Sequence, residues 1–327
     1  LIAAGGASIF IAIQNAANSG HAMPNIDANG ISLHYESIGR ESDPTIVLVM
    51  GLAVQMILWP DPFCQMLVDR GYRVVRFDNR DVGLSSHLDH LGTPNIPLEY
   101  ARFVIGMSVR SPYRLDDMAV DTAALIRTLN LPPVHLVGAS MGGMIAQNVA
   151  AAHPALLTSL TSIMSTTGRR SLPKASWRAM RAILTPPAKR GDTEGAIRRM
   201  QYVVRQISSQ TFPPDEVRLR EICERHVLRS NNPKGAARQL AAIAAAGDRT
   251  NIVRTIKVPT LVLHGRQDEL IPDAAAHETT RVIQAGGGAS RTVVVEGMAH
   301  DLPEPLWARL ADEIVSHCQA ADTRKVG

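Results

Sequence analysis

The sequence predicts an α/β fold: a mostly parallel sheet covered by helices on both faces, with an all-helical segment inserted late in the chain. Three observations carry this. Short, continuous apolar runs of the kind expected for strands buried on both faces alternate with helical stretches along most of the chain. That alternation stops between residues 166 and 250, where no run reads as a strand. The chain has 327 residues, 45% hydrophobic and 4% aromatic, so it is long enough for one large domain carrying an insertion. Its core must be packed mainly by Leu, Ile, Val and Ala.

Residues 1–22 hold the apolar run Ile9-Phe10-Ile11-Ala12-Ile13, with no basic residue ahead of it. A secretory signal opens on basic residues, and the run is too short to span a bilayer. The segment reads as an N-terminal extension to a cytoplasmic protein, the alternative being part of an export signal. From Met23 onward the text reads as a domain. Asn29-Gly30 forms a hairpin turn, followed by the alternating strand Ile31–Tyr35. The apolar runs Thr45–Met50, Arg73–Phe77, Val134–Val137, Leu157–Met164, Thr260–Leu263 and Thr292–Val295 supply the remaining strands. Helical stretches fall at about 55–70, 114–129, 142–152, 274–285 and 304–318. The domain core is therefore 23–165 with 251–327.

The insertion, 166–250, reads as several helices punctuated by Pro173, Pro186-Pro187, Pro213-Pro214 and Pro233, since proline starts or stops helices. It carries 17 Lys+Arg and 7 Asp+Glu, a net +10 in a chain of net +4, which leaves the rest at −6. Solvated helix faces are one reading of that excess; steering of an anionic substrate or surface is the other. No nucleic-acid-binding motif accompanies the basic residues. Cys64, Cys223 and Cys318 are odd in number and widely spaced, so neither a disulfide framework nor a zinc site is expected. No cofactor is implied.

The chemistry concentrates at Gly138-Ala139-Ser140-Met141-Gly142, between an apolar strand and a helix-compatible run. A G-x-S-x-G pattern has value in that setting because the serine sits on a strained strand-to-helix turn that only small neighbours permit. The helix N-terminus favours developing negative charge. The glycine patterns of phosphate-binding turns are missing. Serine needs a base, and histidine suits neutral pH. With the order Ser, acid, His, the base must lie downstream. His226 falls in the insertion, and His277 and His317 fall in helices. His264 ends a strand but precedes the acid. His300, in the loop after the last strand, is the candidate. Asp268 follows the Thr260 strand and is the candidate acid that orients the imidazole. Glu269 could substitute, and Asp273 reads as a helix N-cap. The oxyanion donors are the backbone N–H groups of Met141 and of Leu52, in the loop after the third strand.

Together these residues resemble the α/β-hydrolase superfamily from about Ile31 to about His317. The stretch Gly71 to Ser85 looks like the family's segment around strand four, a structural element. The resemblance implies an eight-stranded sheet and makes the insertion a helical cap between strands six and seven. Met50-Gly51 stands where the family has His-Gly, and there is no Gly-Gly-Gly run. The Met50 to Ser85 stretch is similar to the subgroup related to polyketide methyl-esterases. Serine at position 140 separates the chain from the epoxide hydrolases and haloalkane dehalogenases of this fold, which carry aspartate. The resemblance implies a carboxylic-ester hydrolase acting on small to medium esters; the absence of metal-ligand spacings, of a nucleic-acid-binding motif and of an apolar run long enough to span a bilayer leads to the expectation of no metal, no nucleic-acid partner and no membrane span. Carbon–carbon bond hydrolysis of an acidic diketone by the same triad is the alternative. Trp59, Trp177, Tyr202 and Phe212 are candidates for the substrate pocket, with ordinary packing the competing reading for each.

Overall fold

A computed structural model describes residues 24–326; the N-terminal extension lies outside the described residues. The chain opens with a hairpin, β1 (Asn25–Ala28) and β2 (Ile31–Ile38). Asn29 and Gly30 both take positive φ, 54° and 75°, which matches the right-handed twist of the strands they join. Next come β3 (Thr45–Val49), β4 (Arg73–Phe77), β5 (Val134–Ala139), β6 (Leu157–Ile163), β7 (Thr260–Gly265) and β8 (Ser290–Val295). One eight-stranded sheet runs β1-β2-β4-β3-β5-β6-β7-β8. Only the pairings made by β2 are antiparallel. The chain passes from β3 outward to β4 and returns to β5 on the other side of β3. That reversal opens a crevice at the carboxyl ends of β3 and β5, where α/β sheets bind ligands.

Alternation along the strands builds two cores. Val47, Val49 and Leu136 face one side and pack with Leu125 and Ile145. Ile46, Leu48 and Val137 face the other and pack with Phe63, Leu67, Leu310 and Ile314. The helices that cover these faces include α1 (Asp61–Val68), α3 (Leu115–Thr128), α4 (Met141–Ala152), α10 (Ala274–Ala285) and α11 (Trp307–Val326).

Three elements differ from the sequence-based expectation. The helix expected at 55–70 is a 3₁₀ turn, Met56–Leu58, followed by α1. Pro60 separates them, because proline cannot donate into a continuing helix. The last helix starts as a 3₁₀ turn at Glu304–Leu306 and runs on to Val326, beyond the expected 318. An unanticipated helix, α2 (Ile96–Val104), lies between β4 and α3; the Asn95 side chain accepts from the Leu98 N–H and caps it.

Between β6 and β7 the chain forms α5 (Trp177–Ile183), α6 (Thr193–Ile207), α7 (Glu216–Arg229) and α8 (Pro233–Ala246), with a short α9 (Thr250–Val253) leading back to the sheet. Ser176, Asp192, Asp215 and Asn232 each accept a backbone N–H at the start of α5 to α8, the arrangement that satisfies orphan amide donors. Pro233 occupies the first turn of α8, where its missing N–H costs nothing. Ion pairs bind the segment to the core, the most buried of them through Arg229 and Arg238. Arg229 reaches Asp78 at 2.7 Å. Arg238 grips both oxygens of Asp81, at 2.6 and 2.8 Å, with both side chains fully buried.

Candidate active site

Ser140 stands alone between β5 and α4 with φ 57° and ψ −119°, a strained conformation for a residue with a Cβ. Its N–H donates to the Ile163 carbonyl at 2.9 Å. The turn is too tight for side chains on either flank: a Cβ at Gly138 would lie 2.2 Å from the Gly142 carbonyl oxygen, and one at Gly142 would lie 2.2 Å from that of Val49. Gly138 lets the turn close on the start of α4, and Gly142 lets it press against the end of β3 and the loop after it.

The other sequence-predicted residues converge on this serine. His300 Nε2 lies 2.9 Å from Ser140 Oγ, and its Nδ1 lies 2.7 Å from Asp268 Oδ2. Asp268 Oδ1 accepts the N–H groups of Leu270 and Ile271 at 2.9 and 2.8 Å, which fixes the carboxylate plane. Burial opposes ionisation of Asp268. The His300 and His264 imidazoles on either side override this and hold its carboxyl well below the usual carboxylate range. His264, passed over as a base, is fully buried beneath the acid. Its Nε2 donates to the Ile271 carbonyl at 2.7 Å and sits 3.4 Å from Asp268 Oδ2. Glu269 is occupied elsewhere, accepting from Ser176 Oγ and facing Arg178.

Leu52 and Met141 both face the cavity beside Ser140. Met141 is the first residue of α4, so its N–H is one of the helix's orphan donors. Among the described residues the Leu52 N–H has no acceptor. The loop carrying it is held on both sides. Asn79 Nδ2 donates to the Met50 carbonyl at 2.9 Å. From α8, the buried Gln239 accepts the Ala53 N–H at 2.7 Å and donates to the Arg80 carbonyl at 2.8 Å. Two residues further, Gln55 donates to the carbonyls of His226 and Ser230 at the end of α7. The His300 loop is tied to the same helical segment. The His300 N–H donates to the Ile207 carbonyl at 3.0 Å, and the Ser209 N–H donates to Asp301 at 3.1 Å. No alternating pattern or motif marks these polar ties, which join residues far apart in the chain.

The serine opens into a cavity of about 1860 Å³ lined largely by apolar groups, among them Met144, Met164, Ile183 and Val203. Phe212 lines it. Trp59 does not: it is fully buried in the core and stacked with Phe63. Trp177 is 80% exposed and lines a separate shallow depression with Tyr100. Tyr202, on α6, is half-buried away from the cavity wall. Large aromatics pack wherever apolar surface must be covered, so their identity alone did not select the wall. Tyr100 and Phe103 of the unanticipated α2 do line the cavity.

His226 on α7 also lines the cavity, and its Nε2 accepts the Gln55 N–H at 3.3 Å. Burial, reinforced by Arg229 and opposed by Asp78, pushes its imidazole down to about 4. Above pH 6.5 the ring is neutral both folded and unfolded. As pH falls through 6.5 the unfolded chain takes up a proton that the folded chain refuses, so stability falls until pH reaches about 4. The expected loss from this ring is on the order of 2 kcal/mol by pH 5. Urea midpoints at neutral and acidic pH, for wild type and His226→Gln, measure it. The variant will show the shallower acid slope; equal slopes would locate the acid sensitivity elsewhere.

Comparison with known proteins adds three findings. Residues 44–186 match the family model described as the alpha/beta hydrolase fold. The chain is similar to rhodomycin D methylesterase DauP of Streptomyces sp., with 26% identity over 319 residues, spanning 90% of this chain and 98% of the relative. It is also similar to the crystal structure of the enol-lactonase from Burkholderia xenovorans LB400, with a TM-score of 0.67 at 21% identity, covering 90% of this chain and all of that one. This last likeness is one of fold.

Proposed function

We propose, from the premise that this chain is an α/β-hydrolase and a hydrolytic enzyme, that it cleaves carboxylic esters through an acyl-serine at Ser140. The observation that carries the reading is the continuous hydrogen-bonded line Ser140 Oγ, His300, Asp268 at 2.9 and 2.7 Å, ending at the floor of a large apolar cavity. A serine paired to a base that is itself oriented by a carboxylate is the geometry of an activated nucleophile.

The steps follow from that line. His300 Nε2 takes the proton from Ser140 Oγ as the oxygen attacks the ester carbonyl. The carbonyl oxygen becomes an oxyanion held by the Leu52 and Met141 N–H groups. The tetrahedral intermediate collapses, His300 gives its proton to the leaving alkoxide, and the alcohol departs. Water then repeats the sequence on the acyl-serine and releases the acid. Asp268 stays ionised throughout, keeps Nδ1 protonated and stabilises the imidazolium. The helices between β6 and β7 act as a cap that encloses the acyl group. Their cavity has room for a bulky apolar acid, beyond the small to medium esters expected from sequence, and similarity to a methylesterase points to a small leaving alcohol. The carbon–carbon alternative calls for a free cation at the cavity wall. Of the cations on that wall, Arg199 donates to the Thr185 and Pro186 carbonyls, Arg218 pairs with Glu304 and Arg249 is tied to Gln147 and Asn148, so among the described residues Lys234 is the one without a carboxylate or hydrogen-bond partner that could serve it.

The test is a series of p-nitrophenyl esters from acetate to dodecanoate, run beside covalent labelling with an alkyl phosphonate. We expect turnover across the series and a single adduct that peptide mass spectrometry places on Ser140. Ester turnover with no adduct on Ser140 would remove the assignment.

A further inference from the structure

We propose that the face around α2 and α5, at the mouth of the cavity, docks on the surface of an anionic lipid bilayer. On α2 and the turn after it, Val104 is 63% exposed, Ile105 69% and Met107 52%. Trp177, at the start of α5, is 80% exposed and shares a depression with Tyr100. The two segments adjoin: a Cβ at Gly106 would lie 3.3 Å from Arg170 Nη1. Single exposed apolar residues need no explanation, but a contiguous patch that includes a bare tryptophan marks an interaction site.

Charge identifies the partner. Residues 100–115 and 166–191 together hold ten Lys and Arg and no Asp or Glu. Arg102 and Arg114 are ion-paired to the neighbouring Glu99 and Asp116, and Arg169 and Arg178 to Glu278 and Glu269 of the core. Arg110, Arg170, Lys174, Arg181, Lys189 and Arg190 are exposed and have no carboxylate partner among the described residues. Exposed Trp and aliphatic side chains set among unneutralised cations suit a headgroup layer, where indole rings settle at the interface and basic groups meet anionic lipids. A second copy is a poorer fit, because an isologous contact would bring like charges together. No helix among the described residues is long and apolar enough to cross a membrane, and the contact proposed is with the bilayer surface. Tyr100 and Phe103 line the cavity from the same helix. If esters are the substrate, as proposed above, an apolar ester dissolved in lipid enters the cavity directly from the bilayer.

Sedimentation of the full chain with extruded vesicles tests this without relying on activity, so failure of the ester reading leaves the result interpretable. Vesicles are phosphatidylcholine alone or phosphatidylcholine with roughly 30% phosphatidylglycerol. We expect binding to the anionic vesicles that falls about tenfold or more on neutral vesicles or in high salt. Val104→Asp/Ile105→Asp will weaken it by about tenfold or more, and so will Arg170→Glu/Lys174→Glu, while melting temperature and hydrolysis of soluble p-nitrophenyl acetate stay at wild-type values. Three results would overturn the proposal: no binding to anionic vesicles at low salt, binding that these variants leave unchanged, or a dimer in sedimentation velocity that Val104→Asp/Ile105→Asp dissociates.

Discussion

Ser140→Ala will abolish ester turnover, lowering kcat/KM by on the order of 10⁴- to 10⁶-fold, while the melting temperature holds or rises slightly. The size follows from the serine's position in the line of bonds. On the proposed mechanism its hydroxyl is the group that His300 deprotonates, and its loss would leave the Leu52 and Met141 donors and the cavity to supply whatever acceleration remains. The unchanged stability follows from the turn. Ser140 Oγ bonds only His300, and the backbone ties through Ile163 and Ser165 do not involve the hydroxyl. Alanine tolerates the same strained φ about as well as serine. Paired kinetics and thermal melts on the two proteins check both halves. A variant with more than about a hundredth of wild-type turnover would mean that another group attacks.

Arg238→Met will destabilise the fold by about 3–5 kcal/mol, the usual cost of orphaning a buried charge. Arg238 and Asp81 are each fully buried, and the guanidinium also donates to the Gly92 carbonyl and to Asp89. Methionine covers the apolar stem but leaves the Asp81 carboxylate with little besides the Leu88 N–H. Replacing Asp81 with Asn in the same chain removes the stranded charge, so the double variant will recover a large part of the loss. Urea denaturation of the wild type, both single variants and the double variant closes the cycle. A loss below about 1 kcal/mol in the single Arg238 variant would mean that water reaches Asp81.

The sheet was legible in the sequence because each parallel strand is buried on both faces and must be apolar throughout. The turn at Ser140 was legible because its geometry leaves no room for a side chain two positions away on either side, at Gly138 and Gly142. His300 and Asp268 followed from chain order and from strand ends, which are local properties. What escaped were features set by distant partners. Helix α2 does not point an apolar stripe into the core; its apolar residues face the cavity and the outside, so no burial pattern announced it. The break at Pro60 was visible as a residue but was overridden by the apolar text around it. His264 looked like a rival base, and only the folded chain places it against the Ile271 carbonyl and Asp268 and away from Ser140. Gln239 lies 186 residues from the Ala53 amide it accepts, a pairing no local reading of one sequence supplies.

The helices between β6 and β7 reach down to grip the two loops that flank Ser140: Gln239 holds the Ala53 amide, and Ile207 holds the His300 amide. A segment joined to the core in this way is not an exchangeable part. Transplanting residues 166–250 from a relative to alter which ester is accepted would also replace the groups that set the position of the Leu52 donor and of the imidazole. On the proposed function, choice of substrate and speed of reaction are thus written into the same stretch of chain. Selection on one alters the other, and an engineer seeking a new specificity here does better to change cavity-facing side chains such as Ile183 and Val203 than to swap the segment whole.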